Sequence, residues 1–197
     1  MSLNACFIEV DATGTYVAFH PVQIQRGQII PEYNFMSIWS EPLPEDSSKV
    51  TEALLESIVK VFNRMPTTAD FNDGRHERLV IWLNVELIPP NINLLQLSAG
   101  FIHSEITLVF VTEITRDFQT WDLYRETARN TGGEYILLPS DPTALERAIL
   151  SVINGGDTLR QAFLHLRTQQ STATPSRPTD ANEQTQGAAN DLIFPFD

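Results

Sequence analysis

The chain has 197 residues, 42% of them hydrophobic, which is enough to bury the core of one ordinary domain and leave some chain over. Its 13 Lys and Arg face 25 Asp and Glu, a formal net charge of −12 at pH 7. That charge disfavours direct binding of nucleic-acid phosphates or of anionic membranes. The single cysteine, Cys6, excludes an intramolecular disulfide framework and a zinc site built on paired cysteines.

The chain contains no apolar run of membrane-spanning length, and its first residues carry no basic leader. We therefore expect a soluble, cytoplasmic protein with no membrane partner.

The first forty residues predict extended structure. Residues 4–10 are an apolar run of strand length that ends at Asp11. Residues 16–24 and 29–39 are extended candidates on either side of the Arg-Gly-Gln sequence at 26–28. Two such segments around a glycine-containing turn predict a β-hairpin.

From residue 49 onward, helices alternate with strands. The helical segments repeat apolar residues with a helical period, and the strands are short continuous apolar runs, which is typical of strands covered on both faces. This alternation indicates a parallel sheet with right-handed crossovers. The predicted fold is therefore α/β, a mostly parallel central sheet flanked by helices with a β-hairpin after strand one. The helices are predicted at 49–65, 91–103 (opened by Pro89-Pro90), 121–130, after Asp141-Pro142 (with the proline at the first helical position) and 159–166, and the strands at 79–83, 106–111 and 134–138.

The composition changes after residue 167. Residues 168–190 hold no aromatic or branched aliphatic side chain and are rich in Gln, Thr, Ser, Pro and Ala. Such a segment buries too little apolar area to offset its conformational entropy. We expect a disordered, flexible linker there, after an α/β domain at 1–167.

The linker leads to an acidic–hydrophobic peptide at 191–197, DLIFPFD. An apolar cluster flanked by acids suits docking into an apolar pocket with a basic rim. The peptide resembles the acidic DDDIPF-type tip of bacterial single-stranded-DNA-binding proteins, which recruits partner proteins. Docking on a partner and folding back onto its own domain both remain open. The predicted docking residues are Asp191, Leu192, Ile193, Phe194, Pro195 and Phe196.

The most informative short motif is DATGT at 11–15, directly after the first strand. Asp11, Thr13 and Thr15 offer three hard oxygen donors at alternate positions, the ligand type that Mg²⁺ prefers. The motif resembles the metal-ion-dependent adhesion site of von Willebrand factor type A domains, with threonine for both serines. An ordinary strand-end turn with local side-chain hydrogen bonds is the other interpretation.

The resemblance to von Willebrand factor type A domains extends over roughly residues 4–153 and is best in ARNTGGEYILLPSDPTALERAIL. It implies a protein-interaction module. It also places the family's later metal-site threonine at Thr51 and its final aspartate at Asn84, a neutral and weaker ligand, so it implies no metal or weakly bound Mg²⁺. The family has a helix directly after its first strand, whereas residues 16–39 look extended here.

A second resemblance points to another class of function. A strand, a hairpin and then alternating helices and strands is also the order of the ribonuclease H-like fold. The sequence EVDATG at 9–14 resembles the opening of DnaQ-type exonucleases. Glu9 and Asp11 would then hold one metal of a two-metal nuclease site, with Asp117 or Asp122 as further acids.

The known short motifs for catalysis are absent: the sequence has no nucleophile elbow, no phosphate-binding glycine loop and no zinc-protease motif. We predict a non-enzymatic subunit or adaptor of an intracellular complex, with the metal-dependent nuclease as the alternative. Trp82 is predicted in the core, and Trp39 and Trp121 are candidate interface anchors.

Overall fold

The computed structural model describes residues 2–25, 28–29, 39–65, 76–83, 85, 88–112, 118–138 and 142–172. Seven strands and five helices lie in these ranges. The strands are β1 Ser2–Val10, β2 Tyr16–Gln25, β3 Gln28–Ile29, β4 Trp39–Pro42, β5 His76–Leu83, β6 Ile106–Thr112 and β7 Tyr135–Leu137. The helices are α1 Val50–Arg64, α2 Leu94–His103, α3 Phe118–Asn130, α4 Ala144–Ile153 and α5 Leu159–Thr172.

The strands form one mixed sheet in the order β3-β2-β1-β5-β6-β7, and β4 also pairs with β2. Strands β1, β5, β6 and β7 are parallel, whereas β2 is antiparallel to β1, β3 and β4. The antiparallel pairs therefore stand at one edge of a mostly parallel sheet. The predicted α/β class and the hairpin after strand one are confirmed.

Helices cover both faces of the sheet. On the first face, β1, β2, β5 and β6 pack against α1, α2 and two residues of α3, Tyr124 and Ala128. On the second face, β1, β5, β6 and β7 pack against α4 and α5. All seven residues of β6 are buried, as its continuous apolar sequence predicts. Among the residues described, no helix combines the length and apolar character needed to cross a membrane.

The hairpin differs in extent from its prediction. Strand β3 has only two residues and pairs with the end of β2, and β4 pairs with the beginning of β2. Residues 30–38, between these two short strands, lie outside the described residues. The predicted single strand at 29–39 is therefore described only at its two ends.

Helix α2 begins later than predicted. Asn93 has an extended backbone, and its side chain accepts the backbone N–H of Gln96 at 3.1 Å, which makes it the N-cap. The helix consequently starts at Leu94, and Pro90 lies in the turn before it.

Helix α4 also begins later than predicted. It starts at Ala144 with Thr143 as its N-cap, so Pro142 precedes the cap and does not occupy the first helical position. Asp141 lies outside the described residues.

Helix α5 extends past its predicted end at residue 166. It continues to Thr172, so the first five residues of the segment predicted as a linker, 168–172, are helical. The Thr168 hydroxyl donates to the carbonyl of His165 at 2.8 Å, which meets its hydrogen-bonding need within the helix. The low apolar content that begins at residue 168 accompanies a helix whose side chains at 168 and 169 are exposed.

The Thr-Gly-Gly sequence before β7 is a close-packed joint. The Thr131 hydroxyl donates to the carbonyl of Ala128 and accepts the backbone N–H of Leu108, both at 2.8 Å. A Cβ atom on Gly133 would lie 1.8 Å from the carbonyl oxygen of Leu108. Only glycine at this position lets the α3–β7 connection approach β6 so closely.

A buried carboxylate completes this joint. Glu134 is buried, and its Oε2 lies 3.1 Å from Arg129 Nε and 3.3 Å from Arg167 Nε. Its Oε1 accepts the backbone N–H of Tyr135 at 3.0 Å. A buried charge is costly unless it has partners, and Glu134 has two. Its bonds join the beginning of β7 to α3 and to α5.

Gly133→Ala is expected to lower the free energy of unfolding by about 2–4 kcal/mol, because the added Cβ overlaps a backbone carbonyl within the β6–β7 region. Urea denaturation of the full chain measures this loss. Gly156→Ala is the matched control, since its Cβ would lie 3.5 Å from its nearest atom, the carbonyl oxygen of Ser151. Equal losses in the two variants would contradict the assigned role of the close approach.

Candidate functional site at the carboxyl ends of the strands

The parallel strands β1, β5, β6 and β7 all end at one edge of the sheet. In open α/β sheets this edge carries the ligand-binding loops. The loop at 11–15 follows β1 there, and the amino-terminal ends of α1 and α2 lie at the same edge, because each of these helices precedes a parallel strand.

Asp11 organises the loop at 11–15. Its Oδ1 accepts the backbone N–H groups of Thr15 at 2.8 Å and Tyr16 at 2.7 Å. Its Oδ2 accepts the backbone N–H of Thr13 at 3.2 Å and the Thr13 hydroxyl. The backbone N–H of Asp11 donates to the carbonyl of Tyr16 at 3.0 Å, which closes the turn between β1 and β2.

The three predicted ligand residues are brought together. The hydroxyl oxygens of Thr13 and Thr15 lie 2.6 Å apart, and both side chains are exposed. Gly14 has a φ of 70°, a left-handed conformation that glycine adopts at no steric cost. The arrangement has the hydrogen bonds of a strand-end turn.

These hydrogen bonds hold Asp11 in its charged form. The Thr13 hydroxyl, followed by the backbone N–H of Tyr16, lowers the pKa of Asp11 from 3.8 to about 2. A carboxylate stabilised by several N–H and O–H donors keeps its negative charge far below neutral pH. The loop therefore presents a fixed negative charge at the strand edge.

The oxygen atoms of this loop are of the kind that Mg²⁺ binds, but too few of their acceptor positions are free. A carboxylate has about four acceptor positions, and Asp11 already accepts four hydrogen bonds from its own loop. A cation would have to displace these donors and would gain one carboxylate. The loop is consequently built to fix the carboxylate, and we derive no chemistry through a metal ion.

Thr51 has a different role from the exposed threonines. It is buried in the first turn of α1, and its hydroxyl oxygen accepts the backbone N–H of Asn93 at 2.8 Å. The bond joins the beginnings of α1 and α2. Asn84, the other residue that the resemblance placed in a metal site, lies outside the described residues.

The acids of the alternative nuclease site are not gathered within the described part of the chain. Glu9 is exposed on β1, and Asp122 is exposed on α3, 3.7 Å from Arg125. Asp117 lies outside that part. Within the described ranges, no group of three or more His, Cys, Asp and Glu side chains could hold a metal ion.

The remaining candidates from the sequence are buried, half-buried or outside the described residues. Trp82 is fully buried, as predicted, and Trp121 is half-buried with the Arg125 guanidinium 4.3 Å from its ring centre. Cys6 is buried, and burial raises the pKa of its thiol to about 12. The side chain of Trp39 and residues 191–197 are not among those described.

The structure contains one cluster of Ser, Asp and His side chains that the sequence did not predict. Its members come from two helices and the loop between them, so no local motif marks it. The Ser151 hydroxyl donates to Asp157 Oδ2 at 2.6 Å, and His165 Nδ1 lies 3.1 Å from the same oxygen. Both partners converge on one carboxylate oxygen, so this hydrogen-bonding pattern does not place the imidazole to take the serine proton. The cluster ties α4 to α5.

The comparisons with known proteins add no family to this geometry. No family model matches the chain, and neither the curated proteins nor the solved structures contain a match.

Asp11→Asn is expected to destabilise the protein at neutral pH and to lose that effect in acid. The folded-state pKa of Asp11, about 2, is below its ordinary value of 3.8, so the carboxylate stabilises the fold above the ordinary value, and this contribution disappears as the pH falls toward the folded value. Urea denaturation of both proteins between about pH 6 and about pH 2.5 measures the difference.

The control for this series is Asp122→Asn, which removes an exposed ion pair with Arg125. Exposed pairs contribute about 0–1 kcal/mol, so this variant should differ little from the parent chain. A destabilisation by Asp11→Asn that stays constant across the pH range would contradict the assigned role of the Asp11 charge.

Proposed function

We propose that this chain is a non-enzymatic protein-interaction module, a subunit or adaptor of a larger complex, whose partner-binding surface is centred on the loop at 11–15. The observation that carries the proposal is the Asp11 carboxylate, which four donors of its own exposed loop hold in one position. Binding to a pre-positioned charge costs little ordering entropy, which is favourable at an interface.

The chemistry of the loop favours a partner with a basic group. The lone pairs of Asp11 are used within the loop, but its negative charge still attracts a cation. The hydroxyl oxygens of Thr13 and Thr15 are exposed acceptors beside it, and Tyr16, 50% exposed, offers an aromatic surface next to them. An arginine of a partner protein can bond to such oxygens and stack on such a ring.

The peptide at 191–197 is the second proposed interaction element, carried by its apolar residues between two aspartates. The resemblance of residues 4–153 to von Willebrand factor type A domains also supports an interaction role. The extended Tyr16–Gln25 strand stands where those domains have a helix, so the resemblance supports the role less than the loop does.

The nuclease is a second candidate because of one observation. The sheet begins with β1, β2 and the short strands on β2 in antiparallel order, followed by parallel strands with crossover helices. That order favours a ribonuclease H-like arrangement. Its further acids would have to come from residues outside the described ranges, Asp117 among them.

The test is affinity capture from native extract with the full chain and with Asp11→Asn as baits. Truncating one partner of a buried, hydrogen-bonded charge pair costs about 2–5 kcal/mol, and Asp11→Asn removes both the charge and the Oδ2 acceptor that holds Thr13. We therefore expect the captured amount of at least one protein to fall tenfold or more with Asp11→Asn. Because the proposed contact does not use a metal ion, a chelator should leave capture unchanged.

Asp157→Asn is the matched control, since Asp157 also accepts local hydrogen bonds but lies in the α4–α5 connection. It should capture the same proteins as the parent chain. Equal capture by the parent and by Asp11→Asn would exclude the loop as the binding surface. Manganese-dependent cleavage of DNA or RNA by the full chain would favour the nuclease.

A further inference from the structure

A groove between α1 and α2 has an apolar floor. Its volume is about 410 Å³, and Leu55, Val59 and Gly100 line its apolar part. A Cβ atom on Gly100 would lie 2.2 Å from Leu55 Cδ2, so the missing side chain of Gly100 leaves room for the Leu55 side chain between the two helices. The volume is in the range of sites that bind small ligands or peptide side chains.

The rim of this groove is basic. Lys60, Arg64 and His103 line one end, and Glu56 is the one acid among the described residues that line it. Lys60 also lies 3.8 Å from Glu41, in a pair of partly exposed groups. Basic residues in the last turns of helices stabilise the helix dipole by themselves, but here two helix ends place them around one apolar depression. The local charge is thus opposite to the net charge of the chain, −12.

We propose that this groove binds residues 191–197 of the same chain, DLIFPFD. The five apolar residues at 192–196 match the apolar floor, and the aspartates that flank them supply the negative charge that the basic rim attracts. No other stretch of the 25 residues at 173–197 combines these two properties, because residues 173–190 hold no aromatic or branched aliphatic side chain.

The lengths agree. From Leu55 to Arg64, the axis of α1 rises about 13 Å. Five residues in an extended conformation, the number of apolar residues at 192–196, would span about 13 Å from the first Cα to the last. The apolar part of the peptide can therefore lie along the groove, with one flanking aspartate at the basic end.

The connecting chain is long enough for binding within one molecule. The eighteen residues at 173–190 reach at most about 60 Å, whereas a domain of this size has a radius of gyration of about 16 Å. A short flexible connection gives an effective concentration of about a millimolar. A groove with only weak intrinsic affinity would consequently be occupied much of the time.

Such binding would regulate the proposed interaction. If residues 191–197 also bind a partner, as the proposed function holds, then the groove and the partner compete for them. The position of the peptide in the isolated chain does not depend on that function, so it can be tested separately.

The test is paramagnetic broadening of amide NMR signals in the full chain carrying a nitroxide at Ala189→Cys. The label goes to this position selectively, because Cys6 is buried and the pKa of its thiol is raised to about 12. We expect strong broadening at Asn63, His103 and Ser104 beside the groove, and weak broadening at Val22 on β2.

Two variants of the labelled chain test the assigned contacts. Phe194→Ser with Phe196→Ser should abolish the broadening beside the groove. Lys60→Glu should lower the binding constant of the peptide for the groove about twofold to fivefold, as expected of a partly exposed ion pair. Lys49→Glu, the same change at the other end of α1, is the matched control and should have no effect. Adding Asp191→Lys and Asp197→Lys to Lys60→Glu should restore the broadening.

Three outcomes would overturn the proposal. The first is absence of broadening beside the groove, or stronger broadening on β2. The second is broadening that survives the loss of both phenylalanines. The third is broadening beside the groove in isotope-labelled chains that carry no nitroxide, when they are mixed with nitroxide-labelled chains of natural isotope abundance. That result would make the occupant the peptide of a second copy. Asp11→Asn should leave the broadening unchanged, so a failure of the proposed function is distinguished from a failure of this inference.

Discussion

The structure depends on the burial of β6 on both faces. All seven of its residues are buried, and its backbone can be satisfied only by strands on either side, β5 and β7. Helices must then cover both faces of the sheet. The connection from α3 to β7 can approach β6 closely only because Gly133 has no side chain, and the buried Glu134 fixes that connection to Arg129 and Arg167.

The same constraint determines where function can lie. Parallel strands joined by crossover helices bring all their carboxyl ends to one edge, and the loop after β1 is exposed there. The Asp11 carboxylate accepts four hydrogen bonds from its own loop. The loop therefore has the residue types of a metal site, but its geometry holds a negative charge in one position. That distinction comes from hydrogen bonds between residues two to five positions apart, and the proposed recognition of a basic partner rests on it.

Much of the fold followed from sequence periodicity. Continuous apolar runs predicted β5 and β6, and the positions of Asp11 and of the glycines before β7 predicted where elements end. The predicted limits of helices were wrong where polar side chains determine where a helix begins or ends. Asn93 caps α2 after two prolines that could have begun it, and Thr168 continues α5 into a segment whose composition indicated a linker. The proximity of Asp11, Thr13 and Thr15 was predictable because they share one turn, but the use of Thr51 as a bond between two helices was not.

By itself, the sequence determined the fold class, the succession of strands and helices along the chain, and the acidic and apolar character of residues 191–197, because these depend on local pattern and composition. Only the tertiary structure decided which residues share a surface. Lys60 and Arg64 belong to one helix, whereas His103 and Gly100 belong to another, separated from it by β5 along the chain. The groove has no local signature in the sequence, since its floor and its rim come from two helices that pack against each other.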